Sequence, residues 1–265
     1  MFKKERQREI LRLVAERGKA EVQDLSRRLR VSEMTIRRDL GELNKTGLLE
    51  RVHGGALRVS EGQNDYEPPV HERTKASEQN KRRLGRRVAS MIADGEKIFL
   101  GSGSTTQAVA EGLLRHRDLT VVTNALNIVQ SLLPASGIDL TVTGGFLRRS
   151  ELSLIGHFAE HTLQGLQVDK VIIGMRGIDP VKGLTSDNME ELMTDQAILN
   201  MSKNVIVVAD HTKFGHVAAI RTAPVTAAST IVTTAGGPKD ILEAIRRMGV
   251  RIIEVEKEET ASDKE

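Results

Sequence analysis

The 265-residue chain contains no cysteine and no tryptophan, and only 2% of its residues are aromatic. The lack of cysteine excludes disulfide bonds and thiolate-ligated metal sites, and it fits a reducing compartment. The scarcity of aromatic side chains disfavours the stacking platforms that bind RNA and single-stranded DNA. Long apolar runs are also missing, since the N-terminal MFKKERQREI contains no apolar stretch of signal-peptide length and VIVVA at 205–209 is too short to span a membrane. We therefore expect a cytoplasmic protein without a membrane partner.

The charge is present but unevenly distributed along the chain. Residues 1–60 carry 15 Lys and Arg against 9 Asp and Glu, whereas the remaining residues carry 24 against 27. A basic N-terminal segment joined to a mildly acidic body predicts that the N-terminal end binds a polyanion.

Three short helical patterns occupy the first 45 residues. The first covers residues 5–17 and stops at Gly18, the second lies in EVQDLSRRLRV, and the third begins at Ser32, which can act as an N-cap. On the third helix, Arg38 and Lys45 lie opposite the apolar stripe. This arrangement is typical of a recognition helix that enters a DNA major groove.

The following sequence LLERVHGGALRV predicts a β-hairpin that turns at Gly54-Gly55, with Arg51 and His53 near its tip. Three helices and a basic hairpin form a winged helix-turn-helix, for which double-stranded DNA is the favoured partner. The alternative is a helical cap or dimerisation arm whose arginines are only solvated. The hairpin and the local positive charge favour DNA.

The stretch VSEMTIRRDLGELNKTGLLERVHGGA resembles the helix-turn-helix of the DeoR family of bacterial transcriptional regulators, and this resemblance covers roughly the first 57 residues. It implies that part of the third helix lies at the DNA and that the hairpin is the wing. With Lys45 added from the helical pattern, the expected DNA-binding residues are Ser32, Thr35, Arg37, Arg38, Lys45, Arg51, His53 and Gly54.

The sequence pattern changes after residue 58. Residues 59–80 are polar and predict a hinge or extended linker between a DNA-binding domain at 1–58 and a second domain at 81–257; residues 258–265 form a charged tail. A basic helix is expected over about 78–93, and from residue 98 short β-branched runs alternate with helical patterns. This alternation predicts an α/β domain with a largely parallel sheet.

Each strand pattern of the second domain ends in small polar residues, which predicts a ligand site at the carboxyl edge of the sheet. The loop GSGSTT at 101–106 combines glycines, hydroxyl groups and a helix N-terminus, all of which suit an anion. It matches neither the P-loop pattern nor the dinucleotide fingerprint, so ATP and dinucleotides are disfavoured and no cofactor is expected. Neighbouring strand ends would complete a phosphate and polyol site through Thr123, Asn124, Gly144, Gly145 and Lys213.

This half also resembles the C-terminal sensor of the DeoR family, through segments such as DGEKIFLGSGSTT, TGGFLRRSELSLIG and ADHTKFG. The resemblance implies a fold similar to ribose-phosphate isomerases and CoA transferases, and a phosphorylated sugar or polyol as effector. Two positions depart from the family pattern, because Arg176 and Gly101 stand where aspartate is common. The expected effector-binding residues are Ser102, Gly103, Ser104, Thr105, Thr106, Thr123, Asn124, Gly144, Gly145, Arg148, Arg176 and Lys213.

Two other functions are less well supported by the sequence. The segment HFAEH at 157–161 matches an inverted zinc-peptidase pattern, but so short a match is frequent by chance, and no metal is expected. An isomerase-like enzyme fused to a DNA-binding module is the alternative function, with Asp179, Asp187 and Asp210 as available acids.

The fused DNA-binding module and Arg176 argue against an enzyme, because a sensor needs only to bind. We therefore expect a transcriptional regulator that is controlled by the effector, and the resemblance to the DeoR family implies that it represses carbohydrate-metabolism genes. Because operator half-sites mirror protein symmetry, a homo-oligomer, either a dimer or a tetramer, is expected.

Overall fold

The computed structural model describes residues 3–45, 49–52, 54–57 and 68–256. The chain divides into two compact units, Met1–Glu67 and Pro68–Glu265. No helix in the described ranges is both long enough and apolar enough to cross a bilayer.

The first unit contains the predicted helices and hairpin. Its three strands form one antiparallel sheet in the order β1-β3-β2. The register pairs Val52 with Gly55, so Gly55 belongs to the second strand of the hairpin rather than to the turn. The sequence analysis did not foresee β1, which has only three residues and pairs with β3. The elements are α1 (Lys3–Arg17), β1 (Lys19–Glu21), α2 (Val22–Leu29), α3 (Glu33–Lys45), β2 (Glu50–Val52) and β3 (Gly55–Leu57).

The apolar stripes of the three helices meet in one core. Burial of such aliphatic side chains contributes roughly 1.5–3 kcal/mol each, which is what holds so small a unit together. The buried residues are Ile10, Leu13, Val14, Val22, Leu25, Ile36, Leu40 and Leu43, joined by Leu49 and Ala56.

A seven-stranded parallel sheet forms the centre of the second unit, in the order β15-β14-β12-β9-β4-β5-β6. The predicted α/β class with a largely parallel sheet is confirmed. Two smaller antiparallel sheets, β7-β8 and β10-β11-β13, accompany it. The strands are β4 (Lys97–Leu100), β5 (Leu119–Thr123), β6 (Ile138–Val142), β7 (Phe146–Arg148), β8 (Ser153–Ile155), β9 (Lys170–Ile173), β10 (Gly177–Asp179), β11 (Gly183–Ser186), β12 (Val205–Val208), β13 (Ile220–Ala223), β14 (Thr230–Thr234) and β15 (Arg251–Val255).

Helices cover both faces of this sheet, which explains why its central strands are continuous apolar runs. Ile98 and Phe99, adjacent on β4, belong to two different core clusters and are both fully buried. The helices are α4 (Val70–Lys75), α5 (Glu78–Ala89), α6 (Ser104–Leu113), α7 (Leu126–Leu132), α8 (His157–Gln164), α9 (Leu192–Leu199) and α10 (Lys239–Arg247), with 3₁₀ turns at Met189–Glu191, His211–Lys213 and Val225–Ala227.

The expected linker at 59–80 needs a correction. Residues 58–67 lie outside the described residues, but residues 68–80 are part of the second unit and are mostly helical. Val70 is the one residue of 68–80 that is buried. A single buried apolar residue produces no helical periodicity, so the sequence pattern did not indicate a helix here. The charged tail at 258–265 also lies outside the described residues.

Candidate DNA-binding surface and ligand site

The N-terminus of α3 is capped as the sequence predicts. Ser32 Oγ accepts a hydrogen bond from the backbone N–H of Thr35 at 3.3 Å, and the two side-chain hydroxyls lie 3.0 Å apart. Such a cap satisfies one of the helix's free N–H groups and fixes the direction in which the first turn projects.

The solvent face of α3 carries two arginines and a methionine. Arg37 donates to Glu33 Oε2 at 2.9 Å, one helical turn earlier. Arg38 is exposed and donates no hydrogen bond to any described residue, so its donors remain available for a base edge or a phosphate. Met34, which the sequence analysis passed over, is 77% exposed in the first turn and could contact a thymine methyl. Lys45 ends the helix, but its side chain lies outside the described part.

The opposite side of α3 is held by a buried ion pair with α1. Asp39 is 0% exposed and accepts hydrogen bonds from Arg6, which is 7% exposed. The hydrogen bond to Asp39 raises the pKa of the Arg6 guanidinium above its usual value. Glu42, one helical turn after Arg38, accepts hydrogen bonds from Lys3 and Gln7, which lower the pKa of the Glu42 carboxyl, and the positive charge of Arg38 lowers it further. These contacts set the orientation of α3 on α1.

The wing lies against the same helix. The backbone N–H of Arg51 donates to Asn44 Oδ1 at 2.8 Å. A Cβ atom placed on Gly41 would lie 3.6 Å from Arg51 Nη1, so the Arg51 guanidinium sits over α3 beside the Arg38 face. Gly54 adopts a φ of +87° in the turn, which favours glycine. His53 lies outside the described residues.

In the second unit, the strand order reverses between β4 and β9. From β4 the chain proceeds to β5 and β6 on one side, and later to β9 and β12 on the other. The crevice at the carboxyl ends beside such a switch point is the usual ligand position in open α/β sheets. Gly174, after β9, faces both neighbours, since a Cβ there would lie 3.8 Å from Val208 O and 4.0 Å from Ser102 O.

The loop after β4 forms the floor of this crevice. Gly103, with φ +127° and ψ 162°, precedes α6 and provides no side-chain cap. The first N–H groups of α6 are therefore left for an anion. Ser104 and Thr105 begin the helix, with Thr105 partly exposed, whereas the buried Thr106 hydroxyl donates back to Gly103 O at 3.0 Å. Thr106 therefore stabilises the conformation of the loop.

Two predicted residues follow β5. The Thr123 hydroxyl is fully buried, donates to Leu100 O at 2.6 Å and accepts the N–H of Ala125 at 3.1 Å. The Thr123 hydroxyl therefore forms its hydrogen bonds with backbone groups of the protein. Asn124 donates through Nδ2 to Leu154 O at 3.2 Å, and its buried Oδ1 has no partner among the described residues. That acceptor is a possible ligand contact.

The loop after β6 brings two further predicted residues to the same edge. Gly144 and Gly145 are exposed, with φ values of +74° and +121°. A Cβ on Gly145 would lie 2.7 Å from Ile155 O, so only glycine permits this approach to β8.

The two predicted arginines are already paired with carboxylates. Arg148 forms an ion pair with Glu191, which also accepts a hydrogen bond from Ser153 at 2.7 Å. Burial, reinforced by the negative charge of Glu191 and opposed by Arg148, raises the pKa of Asp195 well above its ordinary value. The surroundings of Arg148 are therefore charge-compensated.

Arg176 donates through Nε to Asp187 Oδ2 at 2.7 Å. Lys213 ends the 3₁₀ turn that follows β12. The predicted effector residues thus lie after five neighbouring strands, and the arginines do not add uncompensated charge.

One residue absent from the sequence-based set also lies in this region. Asn127 on α7 is 5% exposed and donates through Nδ2 to Gly103 O at 3.3 Å and to Gln107 Oε1 at 3.2 Å. Its Oδ1 is buried and has no partner among the described residues. The available signal was a polar residue placed between the apolar Leu126 and Ile128 at the start of α7.

The histidines of HFAEH lie on α8. The rings of His157 and His161 have centroids 6.2 Å apart in an edge-on arrangement. Among the described residues, no group of three or more potential ligands is positioned to hold a metal ion.

A winged helix-turn-helix joined to a parallel sheet with a Gly/Ser loop at its switch point defines a DNA-binding regulator with a sensor domain. The chain matches the DeoR-like helix-turn-helix domain over residues 6–62 and the DeoR C terminal sensor domain over residues 76–235. It belongs to the DeoR family of transcriptional regulators, which confirms the resemblance found in the sequence.

Similar proteins include named repressors. The putative aga operon transcriptional repressor of Escherichia coli O157:H7 is 33% identical over 249 residues, covering 94% of this chain and 93% of that protein. The glycerol-3-phosphate regulon repressor of Escherichia coli K12 is 33% identical over 245 residues, covering 92% and 96% respectively. A structure of D-ribose-5-phosphate isomerase in complex with phospho-erythronic acid matches 52% of this chain and 54% of its own, with 19% identity and a TM-score of 0.39.

Proposed function

We propose that this regulator represses genes of carbohydrate metabolism by binding operator DNA through α3 and the wing, as a symmetric homo-oligomer. We further propose that a phosphorylated sugar or polyol binds at the carboxyl edge of the parallel sheet and alters operator affinity. The observation that carries the proposal is the uncapped N-terminus of α6 at the switch point, combined with the exposed Arg38 on α3. The regulon in the name of one relative, glycerol-3-phosphate, supports a small phosphorylated effector.

An isomerase reaction is the weaker proposal because each available acid already accepts a hydrogen bond or forms an ion pair within the protein. Asp179 Oδ1 accepts the N–H groups of Val181 and Lys182 at 2.8 and 2.7 Å. Asp187 pairs through Oδ2 with Arg176, while its Oδ1 is buried without a partner among the described residues, and Asp210 accepts the N–H of Thr212 at 2.9 Å. A general base needs a free carboxylate within reach of the substrate proton. We therefore propose that the second unit binds its ligand without converting it.

Replacing Arg38 with alanine tests the DNA-binding surface. Arg38→Ala should weaken binding to a duplex selected by the wild-type protein from a random pool by about 1–3 kcal/mol, because a bidentate base contact is lost. Titrations at fixed salt with the selected and a scrambled duplex measure the change.

The matched control is Arg246→Ala, which removes an exposed arginine from the second unit. It should leave the preference for the selected duplex intact. If the two variants bind the selected duplex equally well, Arg38 is not a base-reading residue.

Replacing Gly103 with alanine tests the ligand site. The backbone at φ +127° and ψ 162° lies in a region that is essentially restricted to glycine, so Gly103→Ala should cost about 1–3 kcal/mol or force the loop to rearrange. Stabilisation by sugar and polyol monophosphates in a thermal-shift assay should be lost.

Gly95→Ala is the matched control for backbone strain. Gly95 also has a positive φ, +84°, and a Cβ there would meet no atom within 4 Å. Its variant should be destabilised but should keep its ligand response. An undiminished response in Gly103→Ala would place the ligand elsewhere.

A further inference from the structure

The helix α4 occupies a particular position in the chain. It has six residues and is the first element of the second unit after the segment that joins the two units in sequence. A helix this short is not stable by itself, so its neighbours decide where it lies. A change in those neighbours is therefore expected to move α4.

One set of contacts connects α4 to the loop before α6. Asn127 donates to Gly103 O and to Gln107 Oε1, at 3.3 and 3.2 Å. The single proton of the Thr74 hydroxyl has two acceptors within reach, Val70 O at 2.8 Å and the same Gln107 oxygen at 3.4 Å. Polar contacts thus run from the proposed anion-binding loop to the middle of α4.

A second set connects α4 to the turn between β7 and β8. The backbone N–H of Val70 donates to Ser150 O at 2.7 Å. Arg73 forms an ion pair with the buried Glu151 and donates through Nε to Pro68 O at 2.8 Å. This turn directly follows Arg148, the strand-end arginine that pairs with Glu191.

The far end of α4 is held by α5. The buried Lys81 ammonium donates to Ala76 O at 2.7 Å and to Arg73 O. Lysine at a helix C-terminus satisfies its free carbonyl groups. Of these three sets of contacts, the one with Lys81 is independent of the proposed ligand site, whereas one of the others ends at the loop before α6 and the other at the turn that follows Arg148.

We propose that α4 is the element that transmits ligand binding to the DNA-binding unit, and that Asn127 is the residue that senses the ligand. This inference rests on the proposed function. A ligand shifts an equilibrium only through contacts that differ between two states. The buried, unpaired Oδ1 of Asn127 provides that difference, because a hydroxyl group of a ligand can pair with it and draw the side chain away from Gln107.

Two conservative variants test the coupling. Thr74→Val keeps the shape of the side chain and removes its hydroxyl, and Glu151→Gln removes the charge that pairs with Arg73. The probe is glycerol 3-phosphate, with glucose 6-phosphate and inorganic phosphate tested beside it. The readout is the factor by which the probe changes affinity for the selected duplex, measured together with the affinity for the probe itself.

Both variants should bind the probe within about 2-fold of the wild type, while the coupling factor falls at least about 5-fold. Arg82→Gln, which breaks an exposed pair on α5, is the matched control and should leave coupling unchanged. Normal probe binding with normal coupling in both α4 variants would overturn the inference.

A second measurement does not depend on the identity of the ligand. Because coupling is reciprocal, operator binding should change the amide hydrogen-exchange rates of residues 72–76 in the wild-type protein by about 3-fold or more. Unchanged exchange there in the DNA complex would refute a role for α4. A wild-type protein that shows this change but responds to no phosphorylated compound would refute the proposed effector class and not the coupling helix.

Discussion

Arg6→Ala is expected to destabilise the DNA-binding unit by about 3–5 kcal/mol, because it leaves a buried carboxylate without its partner. Asp39 is fully buried on α3, and Arg6 is the residue of α1 that hydrogen-bonds to it. Because this pair orients α3 on α1, binding to the selected duplex should fall with the folded fraction. Hydrogen exchange of the α1 and α3 amides, followed under increasing denaturant, measures the loss.

The control for Arg6→Ala is on the same helix. Arg12 pairs with Glu9 on the surface, with its side chain 54% exposed, and Arg12→Ala should cost less than about 1 kcal/mol. A double variant, Arg6→Met with Asp39→Leu, should recover most of the lost stability, because no charge then remains buried. Equal effects of Arg6→Ala and Arg12→Ala would contradict the structural role given to the buried pair.

The buried pair illustrates how far the sequence predicts the first unit. The apolar stripe of α3 and its Ser32 cap follow a local period and could be predicted. Asp39 lies only 60° from Ile36 on the same helical wheel, which marks it as facing the core. Its partner is 33 residues earlier, and no local pattern connects Arg6 with it.

In the second unit, too, features that follow a local sequence pattern could be predicted and others could not. The β-branched runs predict six of the seven parallel strands, and parallel topology alone carries their loops to one edge. The edge strand β15 was missed, because its five residues include the charged Arg251 and Glu254 and none of them is fully buried. The small sheets were also missed as sheets, because strands of three or four residues show too little alternation to be recognised.

The side-chain roles within the site could not be predicted because they depend on long-range pairing. Arg148 meets a carboxylate 43 residues away, and the Thr123 hydroxyl is used by the backbone of a neighbouring strand. A sequence reveals which groups reach the edge of a parallel sheet. It does not reveal which of those groups are already satisfied by the protein.

Gly85→Ala is expected to destabilise the second unit by about 3 kcal/mol, at the upper end of the usual cost of overpacking. Gly85 is buried on α5, where a Cβ would lie 2.2 Å from Ala108 O on α6. That atom belongs to the backbone, so one of the two helices must move. Since α6 begins at the proposed anion-binding loop, the displacement should also reduce stabilisation by the phosphorylated probe.

Gly165→Ala is the matched control for that change, since a Cβ there would lie 3.8 Å from its nearest neighbour and the residue is exposed at the end of α8. It should change the free energy of unfolding by less than about 0.5 kcal/mol. Chemical denaturation of both variants, with hydrogen exchange reporting on α5 and α6, measures the difference. If Gly85→Ala were as stable as Gly165→Ala, α5 and α6 could not pack as closely as the structure places them, and the position of the α6 N-terminus would have to be revised.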